Sequence, residues 1–208
     1  MKGKLYIISG PSGVGKNTLL NRVVAHRENL QYSVSATSRA IRPGEVDGKS
    51  YYFVTREHFE SLIRDGELLE YAEYVGNYYG TPLAPIRTLL EKGVDVTTDL
   101  DVVGALKVKQ RLPDAVLVFV AAPSFEALKK RLTGRGDVSP QAIEKRLARA
   151  RFEYSQARHY DYIIVNDDVE RAEQELLAIM TAEQCKTNHR IQFIEEENLC
   201  SIPQCPNC

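Results

Sequence analysis

Between positions 10 and 18 the chain reads Gly10-Pro11-Ser12-Gly13-Val14-Gly15-Lys16-Asn17-Thr18. Glycines and a lysine at this spacing can aim several backbone N–H groups and one full positive charge at a single point. Polyphosphate is the ligand such a loop suits. The run matches the phosphate-loop pattern G-x-x-x-x-G-K-[ST] through Lys16 and departs at Asn17, with a hydroxyl one residue later at Thr18. Two sets of phosphate-seeking side chains accompany it. Arg39, Arg42, Tyr51 and Tyr79 fall near turns in the first half, while Arg131, Arg135 and Arg146 surround a later loop. Guanidinium forks and phenol hydroxyls suit phosphate oxygens. Two such sets flanking one loop imply two phosphorylated substrates facing each other, their repulsion cancelled locally.

These residues need elements to present them. Leu5-Tyr6-Ile7-Ile8-Ser9 predicts a strand and Leu19 to Val24 a helix, so the loop sits in a strand–turn–helix unit. Gln31 to Thr37 is expected as one short strand, Tyr51 to Val54 as another, Arg56 to Arg64 as a helix and Leu68 to Tyr74 as a strand. Gly76-Asn77-Tyr78-Tyr79-Gly80-Thr81 has the glycine spacing of a tight turn. Short links between these strands suggest a small antiparallel or mixed lobe. Further on, residues 84–92 look helical, Val94 to Asp101 forms a strand ending in two acids, and a helix runs from about Val103 to Arg111. Val116 to Val120 reads as a buried strand, followed by a helix from Ser124 to Leu132. Ser139 and Pro140 should cap and open a long helix to about His159. Tyr162 to Asn166 is the last core strand and Val169 to Ala182 the last helix, with Arg190 to Ile194 strand-like in the tail. This alternation gives an α/β class: a parallel sheet covered on both faces, with ligands at the carboxyl ends of its strands. Lys16, Asp99 and Asp101 all belong at that end.

Composition limits the alternatives. The 208 residues carry a net charge of −1, so no global field recruits nucleic acid. No apolar run approaches the roughly 20 residues of a membrane span, and the N-terminus enters the first strand without room for a signal peptide. A cytoplasmic protein is the expectation. All four cysteines, Cys185, Cys200, Cys205 and Cys208, lie late in the chain, against a disulfide framework for the main domain. With His189 they offer a zinc set. A single C-x-x-C with irregular partners favours a reduced tail without metal.

At the level of whole motifs the chain resembles guanylate kinase. The likeness lies in Ser33-Val34-Ser35-Ala36-Thr37-Ser38-Arg39, Arg42-Pro43-Gly44-Glu45-Val46-Asp47-Gly48 and Tyr51-Tyr52-Phe53-Val54. It continues through Gly76-Asn77-Tyr78-Tyr79-Gly80-Thr81, Asp99-Leu100-Asp101 and Ile164-Val165-Asn166-Asp167-Asp168, from about residue 3 to 182. The resemblance implies a P-loop kinase fold with a nucleotide-binding lobe and a short lid. It implies transfer of the γ-phosphate of ATP to GMP, and to dGMP, with Mg²⁺. On this likeness residues 1–182 form the kinase domain, with core 1–34 and 83–182, a GMP-binding lobe at 35–82 and a lid at about 132–146; residues 183–208 are a tail. Arg39, Arg42, Tyr51 and Tyr79 would hold the GMP phosphate, and Ser35, Glu70, Thr81 and Asp99 would read guanine. Guanine presents N1–H and an exocyclic amine side by side, which one carboxylate accepts together; adenine would leave that charge unpaired. Residues 10–18 and Asn166 would bind ATP, with Lys16, Arg131, Arg135 and Arg146 stabilising the transferred phosphoryl group.

The chain departs from the family at several points. Asn17 stands where many such loops place a metal-binding hydroxyl; its carboxamide oxygen can also ligate Mg²⁺, with Asp99 or Asp101 assisting. Thr97-Thr98 replaces aliphatic residues, and Val103 a glutamine. Each residue also has a plainer reading: solvated arginines, packing tyrosines, an exposed glutamate, aspartates capping a helix. At the level of the whole chain, a phosphopeptide-binding scaffold module, a sugar-phosphate kinase and a nucleotide sensor are the competing readings. The intact Lys16 loop opposes the first, and the lobe residues oppose the second. Oligomeric state is open between monomer and homodimer.

Overall fold

The computed structural model describes residues 2–134 and 140–196. In chain order the elements are β1 (Leu5–Ser9), α1 (Lys16–His26), β2 (Leu30–Tyr32), β3 (Ala36–Thr37), β4 (Tyr52–Phe53), α2 (Arg56–Arg64), β5 (Leu68–Tyr74) and β6 (Asn77–Pro82). There follow α3 (Leu83–Glu91), β7 (Asp95–Asp99), α4 (Val102–Arg111), β8 (Val116–Ala121), α5 (Phe125–Thr133) and α6 (Pro140–Gln156). One 3-10 turn at Ala157–His159 leads to β9 (Tyr162–Val165), α7 (Val169–Gln184) and α8 (Thr187–Glu196).

Two sheets organise these elements. The larger has strand order β2-β7-β1-β8-β9, every pairing parallel. Its strands β1 and β8 are almost wholly apolar because both faces are covered. Tyr6 and Ile8 point into a cluster with Leu19, Leu20 and Val23 of α1 and Leu176 and Met180 of α7. The alternate residues Leu5 and Ile7 meet Ile86 of α3 and Ala105 and Val108 of α4 on the other side. This two-residue alternation pins the register, since a one-residue slip would exchange the two cores.

The second sheet, of order β4-β3-β6-β5, is mixed: β3 runs parallel to β4 and antiparallel to β6, which pairs antiparallel with β5. Its small core is Ala36, Phe59 and Leu68, with Phe59 stacked on Tyr78 at 5.3 Å between ring centres. Thr55 caps α2, its side chain accepting from the His58 N–H, which fixes where Phe59 enters that core.

Three sequence expectations change here. Gln31 to Thr37 is two strands in different sheets, broken at residues 33–35 where the chain crosses from one to the other. Gly76 to Thr81 is not a turn: Val75 and Gly76 make the turn with positive φ, and the rest is strand β6. Gly80 is glycine for close approach, because a Cβ there would lie 2.7 Å from the Glu70 carbonyl oxygen and 2.9 Å from the Tyr71 Cβ. Arg190 to Ile194 is helix α8 and not a strand; its side chains stay half to largely exposed, so its alternation reflects no sheet face. The predicted cap Ser139 lies outside the described residues.

Candidate active site

The phosphate loop leaves the carboxyl end of β1 and turns directly into α1. Gly15 is the N-cap in the left-handed conformation, φ 94°, with no capping side chain, so the first amides of α1 remain available to a ligand. Any Cβ at Gly15 would stand 2.5 Å from the Asn166 side-chain nitrogen. Asn166 in turn donates from Nδ2 to the Val14 carbonyl at 2.7 Å. Arg131 donates to the Asn166 carbonyl at 2.9 Å and to the Val14 carbonyl at 3.4 Å. Both residues therefore brace the loop from the α5 and β9 side. The Lys16 ammonium turns back on the loop and donates to the carbonyls of Gly10 and Pro11. Burial pulls this ammonium below its ordinary value, while Asp99 and Glu153 act in the opposite direction.

A cavity of about 410 Å³ opens over this loop, lined by Ser12, Gly13, Lys16, Asn17, Thr18, Asp99, Leu100, Asp101 and Glu153 among others. Asp99 closes β7 and accepts from the Tyr32 hydroxyl. Asp101 is the N-cap of α4, its Oδ1 accepting from the Gly104 N–H at 2.7 Å and its Oδ2 from Arg149 at 3.1 Å. The capping reading of Asp101 is thus the geometry found, and both its oxygens are engaged. Arg149 also donates to Glu153 at 3.1 Å. Burial pushes the Glu153 carboxyl above its usual range, opposed by Arg149 and Lys16.

In the second sheet, β5 and β6 slip by one residue between Leu68 and Tyr71. Such a bulge re-aims the side chain beside it, here Glu70. Its Oε1 accepts from the buried Thr81 hydroxyl at 2.9 Å, and its other oxygen lies 3.6 Å from where a Cβ on Gly104 would be. Burial raises the Glu70 carboxyl above its ordinary value, with Thr81 working against the rise. Arg39 is held in a two-pronged pair with Glu45 at 2.7 and 2.8 Å and also donates to the Ala40 carbonyl. These bonds engage three of its five N–H donors, and Tyr79 also interacts with the guanidinium. The bonds from Arg39, joined by the Arg42 N–H, hold the Glu45 carboxyl down to about 2. Arg39 also lies 5.5 Å over the Tyr51 ring, and Tyr51 meets Tyr79 edge-on at 6.0 Å. One end of the site thus offers cations and phenols, and the other a half-buried carboxylate.

The guanylate kinase family model matches residues 2–183. The chain belongs to the guanylate kinase family. It is 48% identical to the guanylate kinase of Halalkalibacterium halodurans over 191 residues, covering 92% of this chain and 94% of that one. To the Streptococcus pneumoniae guanylate kinase it is 51% identical over 183 residues, 88% of each chain. Among solved structures it is similar to the guanylate kinase of Anaplasma phagocytophilum, with TM-score 0.68, 39% identity and coverage of 89% and 88%. The reaction is the ATP-dependent phosphorylation of GMP to GDP.

Within this guanylate kinase architecture, Lys16, Asn17, Thr18, Asp99 and Asp101 gather around one cavity; Glu70 with Thr81 forms a group in the second sheet, and Arg39 with Tyr51 and Tyr79 another at its margin. Ser35 contributes its carbonyl to the Tyr52 N–H, and Arg42 is exposed beside Glu45. Arg146 is half-buried on α6, one turn before Arg149. Arg135, Cys200, Cys205 and Cys208 lie outside the described residues. Sequence reasoning missed Tyr32, Arg149 and Glu153. The i,i+4 spacing of Arg149 and Glu153 was visible, but their reach to Asp101 and Lys16 spans the fold. No group of three or more His, Cys, Asp or Glu converges as a metal cage among the described residues. No helix among them is long and apolar enough to cross a membrane.

Proposed function

We propose that the residues gathered here divide the guanylate kinase reaction between two ends of one cleft. ATP lies on the glycine loop, its β- and γ-phosphates met by the amides of residues 10–18 and by Lys16, which leaves its own loop carbonyls to reach them. Asn166 and Arg131 keep that loop shaped. Arg135 and Arg146 approach the transferring phosphoryl group from the lid side, about 132–146. GMP occupies the lobe at 35–82, its phosphate on Arg39, Arg42, Tyr51 and Tyr79, its base on Ser35, Glu70, Thr81 and Asp99. The phosphoryl group moves in line between the two, and positioning with charge cancellation supplies the rate. No side chain becomes a covalent carrier.

The residues present suit a divalent ion, which we assign as Mg²⁺: hard oxygens of Asn17, Thr18 and Asp99 line the loop cavity. When bound, such an ion neutralises phosphate charge. Asp101, already capping α4, acts from further away. With ATP and GMP as substrates and a net charge of −1, the chain fits a cytoplasmic enzyme without a nucleic-acid partner, a monomer or homodimer.

The observation that carries this reading is the half-buried Glu70 carboxylate, beside a bulge and steadied by Thr81. It accepts both guanine donors at once, and adenine leaves it unpaired. A coupled assay with ATP and each of GMP, dGMP, AMP and UMP tests it. Turnover with GMP and dGMP is expected, and Glu70→Gln should lower kcat/KM for GMP by about a hundredfold while leaving the KM for ATP in place. A Glu70→Gln enzyme as selective as the parent would remove Glu70 from the site.

A further inference from the structure

We propose that Tyr32 is a positioning residue for acceptor selection: its phenol hydroxyl holds the Asp99 carboxylate turned toward the GMP side of the cleft. The inference rests on the reading of Asp99 as a GMP-side group. Tyr32 ends β2, where it pairs in register with Thr97 of β7. Asp99 lies two residues further along the same face, about 6.6 Å by strand geometry. A tyrosine spans that distance and ends in a donor, and the Tyr32 hydroxyl donates to Asp99 Oδ1. One oxygen of Asp99 is thereby fixed, leaving the other for a ligand.

Two further observations give the contact a purpose. Asp99 also attracts the Lys16 ammonium across the cavity. A carboxylate free to rotate would swing toward that cation, losing its place in the acceptor site and masking a charge meant for ATP. The Tyr32 bond opposes the swing. The ring itself is 42% exposed on an edge strand and belongs to none of the buried clusters among the described residues. Packing therefore does not account for a tyrosine here. Immediately after it, Ser33 makes a last bond to the larger sheet at Thr97, and the Ser35 carbonyl already accepts from Tyr52 of the smaller one. Tyr32 stands at the crossing between the two halves of the acceptor site, near enough to Tyr51 for the two phenols to interact electrostatically.

The test is calorimetric titration of the full chain with GMP, without ATP or divalent metal, for the parent, Tyr32→Phe, Asp99→Asn and the double variant. Tyr32→Phe keeps the ring and removes one hydroxyl. It should weaken GMP binding about tenfold, keep the KM for ATP within about twofold and shift melting by no more than a few degrees. Because Tyr32 acts through Asp99, the double variant should bind GMP no more weakly than Asp99→Asn alone. Parent-like affinity in Tyr32→Phe, or a loss that adds fully to that of Asp99→Asn, would overturn the proposal. So would a fall in melting temperature with matching losses for both nucleotides, which marks a structural role. Parent-like GMP affinity in Asp99→Asn would instead remove Asp99 from the acceptor site, and the role of Tyr32 with it.

Discussion

In the guanine-reading role proposed for it, Glu70 has to carry a charge in a place that disfavours charge. Its burial raises the carboxyl above the ordinary range, against the pull of Thr81, so it takes up a proton earlier than a surface glutamate as pH falls. Guanine offers donors that need the ionised form. GMP affinity should accordingly fall on mild acidification, starting above the usual carboxylate range, while ATP affinity does not follow the same curve. Binding should release a proton in that window, visible as a buffer-dependent heat in calorimetry, and Glu70→Gln should abolish it. Asp101 separates a capping role from a charge role. Asn is also a good N-cap, so Asp101→Asn should leave stability within about 0.5 kcal/mol, whereas Asp101→Ala loses about 1 kcal/mol from α4. Chemical denaturation distinguishes them; equal stability of the two would mean that the bond to Gly104 contributes nothing.

Among the elements, β7 is the anomaly. It is the second strand from the edge and buried through its first four residues, yet reads Asp-Val-Thr-Thr-Asp. Thr98 shares the inward face of Val96, and its hydroxyl is buried with no partner among the described residues. Thr98→Val keeps the shape and should stabilise the protein by about 1 kcal/mol, raising the melting temperature by roughly 2–4 °C. A lower melting temperature would show that the hydroxyl has a partner. The same element shows how far the sequence could be read. β1 and β8 were plain as apolar runs, and the glycine loop by its spacing, because these signals are local. β6 was hidden because Gly80 is required by contact with Glu70 and Tyr71 across a strand pair, not by a turn. The break at residues 33–35 was hidden because nothing local says that Tyr32 and Ala36 join different sheets. The bonds of Tyr32 to Asp99 and Arg149 to Asp101 join residues 67 and 48 positions apart. No periodicity reports such distances.

For the molecule as a whole, the end remote from the phosphate loop has its own polar anchor. Glu183 of α7 accepts from Lys4 at 2.8 Å and Tyr162 at 2.7 Å and pairs with Lys186. Burial alone would raise its carboxyl, but Lys186, Lys4 and Tyr162 outweigh it and hold the group at about 2. A depressed acid contributes stability above its unfolded value, near 4.5, and loses that contribution as pH falls toward 2. Glu183→Gln should cost on the order of 3 kcal/mol at neutral pH and flatten the acid limb of the stability curve. An acid limb identical to the parent's would place the titrating group elsewhere.

The smaller sheet is a detour. The chain departs after β2 and comes back through α3 to β7, the strand that lies next to β2. Its two ends are thus anchored side by side, and the parallel sheet would keep a complete β2–α3–β7 crossover without it. On the proposed site this makes most of acceptor choice a cartridge: a different insert spliced between the same two neighbours would replace Arg39, Tyr51, Glu70 and Thr81 at once, while Tyr32 and Asp99 would stay behind in the donor's sheet.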